Sequence, residues 1–411
     1  MDKLKNWYNN AIMKTHGRGT GLSDMFGSRY STIDMHVHSS VSDGEKDFTE
    51  IGDDAAKNKL DVLAIVDHDT IKGQIELYEG KRNLGNYQGK FINGVEVTSM
   101  LGDRRIEVLV YDYDVFKAKK LIDDFEFPFL NRKFKIKRNA HCLQQRLNAI
   151  NNMGASSKYL TLNDFIGVNV DGSGKPKMFS ELGLDVKKDL NFDDNDFKQQ
   201  VTIDGKVYDV NFDDFNFKLF SHLSQDEKGK AFLAKLKTPS GQSVETFADF
   251  NRGVIQAKGS VLAVDDSGYW PTVEQVCDFA KKSGGVAILA HPFGYGKDQG
   301  PANEIVFDAV KAGVDGIEVW HGFNKASQVE KLYKYCQRNN LLISMGSDSH
   351  GYQKTRTGVP YPIGSAPGYE GENPDKDELI HQTKLTVENL RSFAGEYNKK
   401  LDSQGSQPGE E

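Results

Sequence analysis

Two histidines that are separated by a single residue, His36 and His38, end an apolar-flanked run that starts at Ile33. In an extended strand, residues two apart point to the same face, so the two imidazoles lie side by side, about 7 Å apart at their Cα atoms. That spacing suits two ligands of one metal ion. A histidine near a strand end is also common as an ordinary hydrogen-bonded residue, so the pair alone leaves both interpretations open.

The same pattern recurs six times later in the chain. Each time a short β-branched or aliphatic run meets a side chain that can bind metal or phosphate, and in six of the seven runs that side chain follows the strand. The exception is Glu107, which opens its run. The collected candidate ligands are five imidazoles and four carboxylates: His36, His38, Asp43, His68, Glu96, Glu107, His291, Asp348 and His350. Because seven strand-like runs each carry such a side chain, a purely structural role for all of them is a poor explanation of the pattern.

These side chains define the chemistry. Mixed nitrogen and oxygen ligands without thiolate suit Mn²⁺, Zn²⁺ or Fe²⁺. Nine ligands exceed the needs of one ion, and a carboxylate such as Glu96 can bridge two. Ions roughly 3.5–4 Å apart can hold a hydroxide and stabilise the oxygens of an in-line displacement at phosphorus. We therefore predict hydrolysis of a phosphate ester with two or three divalent ions, Mn²⁺ being preferred.

The elements that position these ligands follow from the apolar pattern. Near-continuous apolar runs that alternate with amphipathic helices predict parallel strands buried on both faces, and parallel barrels carry their chemistry at the C-terminal ends of the strands. The alternation stops near residue 124 and resumes near residue 269. We predict an N-terminal leader (1–30), a barrel in two parts (31–123 and 269–395), an inserted α+β cap domain (124–268) and a disordered tail (396–411).

The predicted cap contains a cationic helix over residues 131–150. Its apolar stripe is surrounded by basic residues with no acidic residue between them: Arg132, Lys133, Lys135, Lys137, Arg138 and Arg146. Such a run is either a solvated face or the wall of a pocket for an anionic substrate, and the sequence leaves both open. Farther on, Asp204-Gly205 between alternating residues predicts a β-hairpin.

Composition excludes several classes of protein. The net charge of −7 argues against a coating for nonspecific or duplex DNA binding. Three scattered cysteines fit a reducing compartment, and no window approaches 18 apolar residues. We expect a cytoplasmic protein without a membrane partner, whose oligomeric state the sequence leaves open.

The ordered motifs resemble those of the PHP (polymerase and histidinol phosphatase) superfamily. They are His36-Val37-His38 with Ser42-Asp43-Gly44, Val66-Asp67-His68-Asp69-Thr70, Gly94-Val95-Glu96, Leu289-Ala290-His291-Pro292, Gly316-Ile317-Glu318-Val319 and Gly346-Ser347-Asp348-Ser349-His350-Gly351. The resemblance implies an α/β fold, a distorted seven-stranded βα barrel of the TIM-like kind, with a trinuclear metal centre. By this resemblance, the centre would bind one ion at His36, His38, Glu96 and Asp348, a second at Glu96, Glu107 and His291, and a third at Asp43, His68 and His350.

Within the superfamily the chain looks most like stand-alone phosphoesterases that act on nucleoside 3',5'-bisphosphates or oligonucleotide 5' ends. The implied partner is a small phosphorylated substrate or a short oligonucleotide. We expect His321 and Asp348 to be catalytic, and Lys177, Arg138 and His321 to bind substrate. His321 could instead be a packing residue.

Two residues depart from the subgroup's pattern. Glu107 stands where many relatives have histidine, and it could instead pair outward with Arg104 or Arg105. Lys177 stands where a histidine is usual. The alternatives to a nucleotide phosphatase are a histidinol-phosphate phosphatase and a non-catalytic metal-binding PHP module.

Overall fold

The first part of the chain forms four strands and three helices. The computed structural model describes residues 33–170, 175–194, 196–257, 259–295, 300–321, 324, 326–351 and 363–364, so the predicted leader and tail lie outside the described residues. The elements are β1 (Ile33–Val37), α1 (Phe48–Lys57), β2 (Val62–Ile65), α2 (Lys72–Tyr78), β3 (Lys90–Leu101), β4 (Arg104–Tyr111) and α3 (Val115–Asp123). A capping box at Asp47 and Glu50 begins α1, since each side chain accepts a hydrogen bond from the other residue's backbone N–H.

The middle of the chain forms a second unit with its own apolar core. Its helices are α4 (Arg132–Asn152), α5 (Phe179–Leu182), α6 (Val186–Leu190), α7 (Phe215–Gln225), α8 (Glu227–Leu233) and α9 (Phe247–Phe250). Its strands are β5 (Gly167–Val168), β6 (Lys177–Met178), β7 (Gln200–Ile203) and β8 (Lys206–Asn211), in the sheet order β6-β5-β8-β7. The predicted hairpin is confirmed: β7 and β8 pair antiparallel around Asp204 and Gly205, whose φ angles are 50° and 77°.

The last part returns to strand–helix alternation. Its elements are α10 (Val273–Ser283), β9 (Val286–Leu289), α11 (Ala302–Ala312), β10 (Gly316–Trp320), α12 (Ala326–Asn339) and β11 (Leu342–Met345). Gly284, with φ of 87°, ends α10 in the left-handed conformation that glycine adopts without strain. Among the described helices, none is long and apolar enough to cross a membrane.

Seven strands form one sheet in the order β1-β2-β3-β4-β9-β10-β11. Its two edges meet where the backbone N–H of His38 donates to Ser349 O (2.9 Å) and that of Asp348 donates to His36 O (2.8 Å). A Cβ at Gly346 would lie 2.2 Å from the Cβ of His36, so the seam requires glycine there. The sheet is thus a nearly closed α/β barrel, and the predicted fold class is confirmed.

The strands are not all parallel, which corrects the expectation from their apolar runs. β4 pairs antiparallel with both β3 and β9. Only Gly102 and Asp103 separate β3 from β4, and a two-residue connection can join antiparallel strands but not parallel ones. β3 also continues five residues beyond Glu96, which therefore lies within a strand instead of at its end.

Candidate metal centre

The structure brings all nine predicted ligands to one mouth of the barrel, and Glu96 is at their centre. Its Oε2 lies 3.2 Å from His36 Nε2, 3.2 Å from His38 Nε2 and 3.2 Å from His68 Nδ1. His38 Nε2 is also 3.2 Å from Asp348 Oδ1. One carboxylate oxygen thus faces three ring nitrogens that come from two segments of the barrel, the end of β1 and the loop after β2.

Glu107 also faces this cluster. Glu96 Oε1 lies 3.0 Å from His291 Nε2, and the same nitrogen is 3.4 Å from Glu107 Oε2. The outward partners considered for Glu107 are taken, since Arg104 pairs with Asp308 and Arg105 with Asp266. The position supports a ligand role for Glu107, which stays a prediction.

Asp43 and two imidazoles form the outer edge of the cluster. His350 Nε2 lies 3.3 Å from Asp43 Oδ1, and His68 Nε2 lies 3.8 Å from Asp43 Oδ2. Asp67 fixes the loop that carries Asp43, because its carboxylate accepts hydrogen bonds from the backbone N–H of Ser39 (2.8 Å) and the hydroxyl of Ser42 (2.8 Å). The sequence analysis quoted Asp67 only as part of a motif and gave it no role.

The carboxylates at this site stabilise positive charge on the neighbouring imidazoles. Burial alone would lower the pKa of His36, but Glu96 and two further carboxylates raise it well above its usual value. For His291, the same opposing effects raise the pKa to about 9. The pKa of Glu107 is raised by burial and by the negative charge of Glu96. A carboxylate in that position is stabilised by an added cation.

The donor atoms fit divalent metal ions. The Nε2 atoms of His36 and His38 are 3.1 Å apart, so a cation between them would satisfy both lone pairs. The buried Nδ1 of His38 has no hydrogen-bond partner among the described residues. Overlapping groups of three or four ligands have all their donor atoms within 4.8 Å of one another. Nitrogen and carboxylate donors at such spacing are typical of sites for Mn²⁺, Zn²⁺ or Fe²⁺.

The predicted substrate-binding residues lie in different surroundings. His321 is buried, and its Nε2 is 3.6 Å from Asp348 Oδ2. The guanidinium of Arg138 lies 3.8 Å from the centroid of the Trp270 ring. Lys177 is exposed on β6 and has no hydrogen bond or ion pair to the cluster in the described part of the chain.

Lys135, to which the sequence analysis gave no separate role, reaches the barrel mouth instead. Its Nζ donates to Asp69 O (3.2 Å) and lies 3.5 Å from His68 O. Lys135 could not be singled out from the sequence, because the uniformly basic pattern of α4 does not show which side of the helix faces the barrel.

Comparisons with known proteins agree with this geometry. The model of the PHP domain matches residues 34–167. A 3',5'-nucleoside bisphosphate phosphatase from Chromobacterium violaceum is 24% identical over 320 residues, which cover 78% of this chain and 87% of that protein. A 5'-3' exoribonuclease from Haemophilus influenzae is 22% identical over 317 residues, which cover 77% and 89%.

A solved structure, an amidohydrolase from Chromobacterium violaceum with bound sulfate and no metal, is 22% identical, with a TM-score of 0.45 over 86% of this chain and 97% of that one. Residues 34–167 match the PHP domain, and this match, with the ordered motifs and the ligand cluster, indicates a metal-dependent hydrolase that acts on phosphoric ester bonds.

Proposed function

We propose that this protein removes phosphate from small nucleotides that carry a second anionic group, such as a nucleoside 3',5'-bisphosphate. The similarity to the 3',5'-nucleoside bisphosphate phosphatase from Chromobacterium violaceum supports this substrate class. The observation that carries the proposal is the distribution of positive charge on α4. That helix presents two cations, Lys135 and Arg138, to the barrel, beside a centre that is itself rich in carboxylates.

Four of the six basic residues of α4 have partners within the cap. Lys133 lies 3.7 Å from Asp196, and Lys137 donates to the carbonyl oxygen of Asp193 at 3.2 Å. The other two donate to groups that carry no charge: Arg132 to Gln199 and Arg146 to Leu262 O and Asn216. These contacts account for the cap-facing side of the helix.

Lys135 and Arg138 contact residues outside the cap instead: Lys135 donates to Asp69 O, and Arg138 lies over the Trp270 ring. They are three residues apart, so they share one face of α4. Neither has a carboxylate within 4 Å among the described residues, and burial lowers the pKa of both. Taking a cation out of water without an anion costs free energy. An anionic substrate group between α4 and the barrel would offset that cost.

The nine ligands and His321 have different roles in the proposed reaction. Divalent ions at the ligand cluster would supply positive charge to the phosphoryl group and make water nucleophilic at neutral pH. The pKa of Asp348 lies well below its usual value, because nearby imidazoles outweigh the effect of burial, so the carboxylate stays charged beside His321. We assign His321 the protonation of the leaving oxygen or a contact to the substrate phosphate.

A short oligonucleotide is the second candidate substrate, since one relative is a 5'-3' exoribonuclease from Haemophilus influenzae. An exoribonuclease cleaves a phosphodiester, so the first phosphodiester would lie at the metal centre and the 5' phosphate would occupy the position assigned to the second anionic group. This reaction would release a nucleoside 5'-phosphate instead of inorganic phosphate.

Release of inorganic phosphate or of a nucleoside 5'-phosphate by Mn²⁺-loaded protein tests the proposal. The substrates are a nucleoside 3',5'-bisphosphate, a 5'-phosphorylated trinucleotide, histidinol phosphate and an aryl phosphate. We expect the highest kcat/KM with one of the first two. Activity on histidinol phosphate alone would overturn the proposed substrate class, and metal-bound protein that hydrolyses none of the four would indicate a non-catalytic module.

A further inference from the structure

Glu318 is a fully buried carboxylate that touches two of the ligand-bearing segments. It lies on β10 with 0% of its surface exposed. Its Oε1 is 3.0 Å from His36 Nδ1, and its Oε2 accepts a hydrogen bond from the backbone N–H of His291 at 2.9 Å. In the sequence this residue stands out only as part of the motif Gly316-Ile317-Glu318-Val319.

We propose that Glu318 is a positioning residue that fixes the tautomer and orientation of the His36 ring. A neutral imidazole carries one N–H, and the partner of one ring nitrogen decides which nitrogen carries it. A carboxylate at Nδ1 retains the proton there. The lone pair of Nε2 then points into the cluster, where Nε2 is 3.2 Å from Glu96 Oε2.

Glu318 acts through His36 and is not itself a metal ligand. Glu318, His36 and His321 do each offer an atom to a group close enough to hold an ion. However, both oxygens of Glu318 already have partners, at His36 Nδ1 and at the His291 N–H. The two nitrogens of an imidazole face away from each other, so an ion at His36 Nε2 is on the far side of the ring from Glu318.

The second contact orients His291. The parallel pairing of β9 with β10 ends at Leu289, two residues before His291. The N–H of His291 therefore donates to the Glu318 side chain where the ladder has stopped. One carboxylate thus holds a ligand ring from β1 and the backbone of a ligand at the end of β9, which couples the two sides of the centre.

The variant E318Q tests this role by titration with Zn²⁺ alone, against a competing chelator. An amide oxygen can accept from only one of the two donors, and its NH₂ group then faces the other. We expect Zn²⁺ affinity to fall by about 10–100-fold, as is usual when the outer partner of a ligand histidine is changed. Circular dichroism and thermal unfolding should show a folded protein.

Asp315 supplies the matched control. Its Oδ2 accepts from the backbone N–H of Ala287 at 2.9 Å, so it makes the same kind of side-chain contact to β9, but to no histidine. We expect D315N to retain Zn²⁺ affinity. An equal loss in D315N and E318Q would mean that any carboxylate contact between these strands matters, which overturns the positioning role.

A second readout reports the tautomer directly. In Zn²⁺-loaded protein labelled with ¹⁵N-histidine, the hydrogen-bonded Nδ1–H of His36 should give a slowly exchanging ring signal that is absent in E318Q and present in D315N. If E318Q does not fold, E318D provides the test, since it retains the charge but withdraws it from His36. Unchanged Zn²⁺ affinity in a folded E318Q or E318D would overturn the proposal.

Discussion

Replacing Lys135 with methionine should lower activity selectively and leave stability nearly unchanged. The ammonium group contacts the carbonyl oxygens of Asp69 (3.2 Å) and His68 (3.5 Å). Burial lowers its pKa, so the charged form is disfavoured at this position. Relief of that cost should offset the loss of two long hydrogen bonds, and we expect the free energy of unfolding to remain within about 1 kcal/mol of the wild-type value.

The effect on catalysis follows from the substrate group that Lys135 would bind. A hydrogen bond between charged groups contributes about 1.5–3 kcal/mol. At about 1.4 kcal/mol per tenfold change, kcat/KM for a nucleoside bisphosphate should fall by roughly 10- to 150-fold. Contacts to the non-reacting phosphate are equal in the ground and transition states, so the change should appear in KM. For an aryl phosphate, we expect kcat/KM to stay the same.

Lys137→Met is the control for this experiment. It removes a lysine from the same helix, two residues away, but on the side that contacts Asp193 O and the Phe197 ring. This variant should leave both substrates unaffected. Equal losses for the bisphosphate and the aryl phosphate in Lys135→Met, or a fall in unfolding free energy well beyond 1 kcal/mol, would refute the reasoning.

Three further experiments test other parts of the structure. His36→Ala combined with His38→Ala should remove metal and activity but leave the circular dichroism spectrum intact; full metal occupancy by elemental analysis would contradict this. Glu107→His should retain two or three ions with a shift from Mn²⁺ toward Zn²⁺, and unchanged metal content, preference and turnover in both Glu107→His and Glu107→Ala would place the residue outside the centre. Burial raises the pKa of Asp112 to about 7, so the folded protein loses stability as the pH rises from about 4 to 7. Asp112→Asn should therefore raise the free energy of unfolding by about 2–4 kcal/mol at pH 8 and by little at pH 4, and equal denaturation midpoints at pH 8 would contradict it.

The sequence predicted the barrel and the ligand cluster because both depend on local patterns. Alternation along β1 places His36 and His38 on one face, and the parallel strands, which exclude β4, end at one mouth of the barrel. Neither inference requires knowledge of distant contacts. The direction of β4 is also encoded locally, by the two-residue connection Gly102-Asp103, which can join only antiparallel strands. The prediction of parallel strands came instead from the apolar character of the run.

The role of Glu318 could not be predicted in the same way. Its partner His36 is 282 residues away in the chain, and the two meet only because the barrel closes. Alternation shows that Glu318 and Trp320 share a face of β10 but not which strand lies opposite. Likewise, the sequence does not show which of Lys135 and Lys177 lies near the barrel mouth, since both are lysines in cap segments with basic neighbours. That depends on how the cap packs against the barrel.

The charges of the barrel and the cap suggest why they belong to one site. The ligand cluster holds carboxylates that require cations, with Glu96 at its centre. The facing side of α4 holds Lys135 and Arg138, which require an anion. A substrate with one phosphate could satisfy the metal centre but would leave the two cap cations in their unfavourable state. A substrate with two anionic groups would satisfy both surfaces at once, and this difference in free energy is the physical basis of the proposed preference for a bisphosphate or an oligonucleotide over a simple monoester.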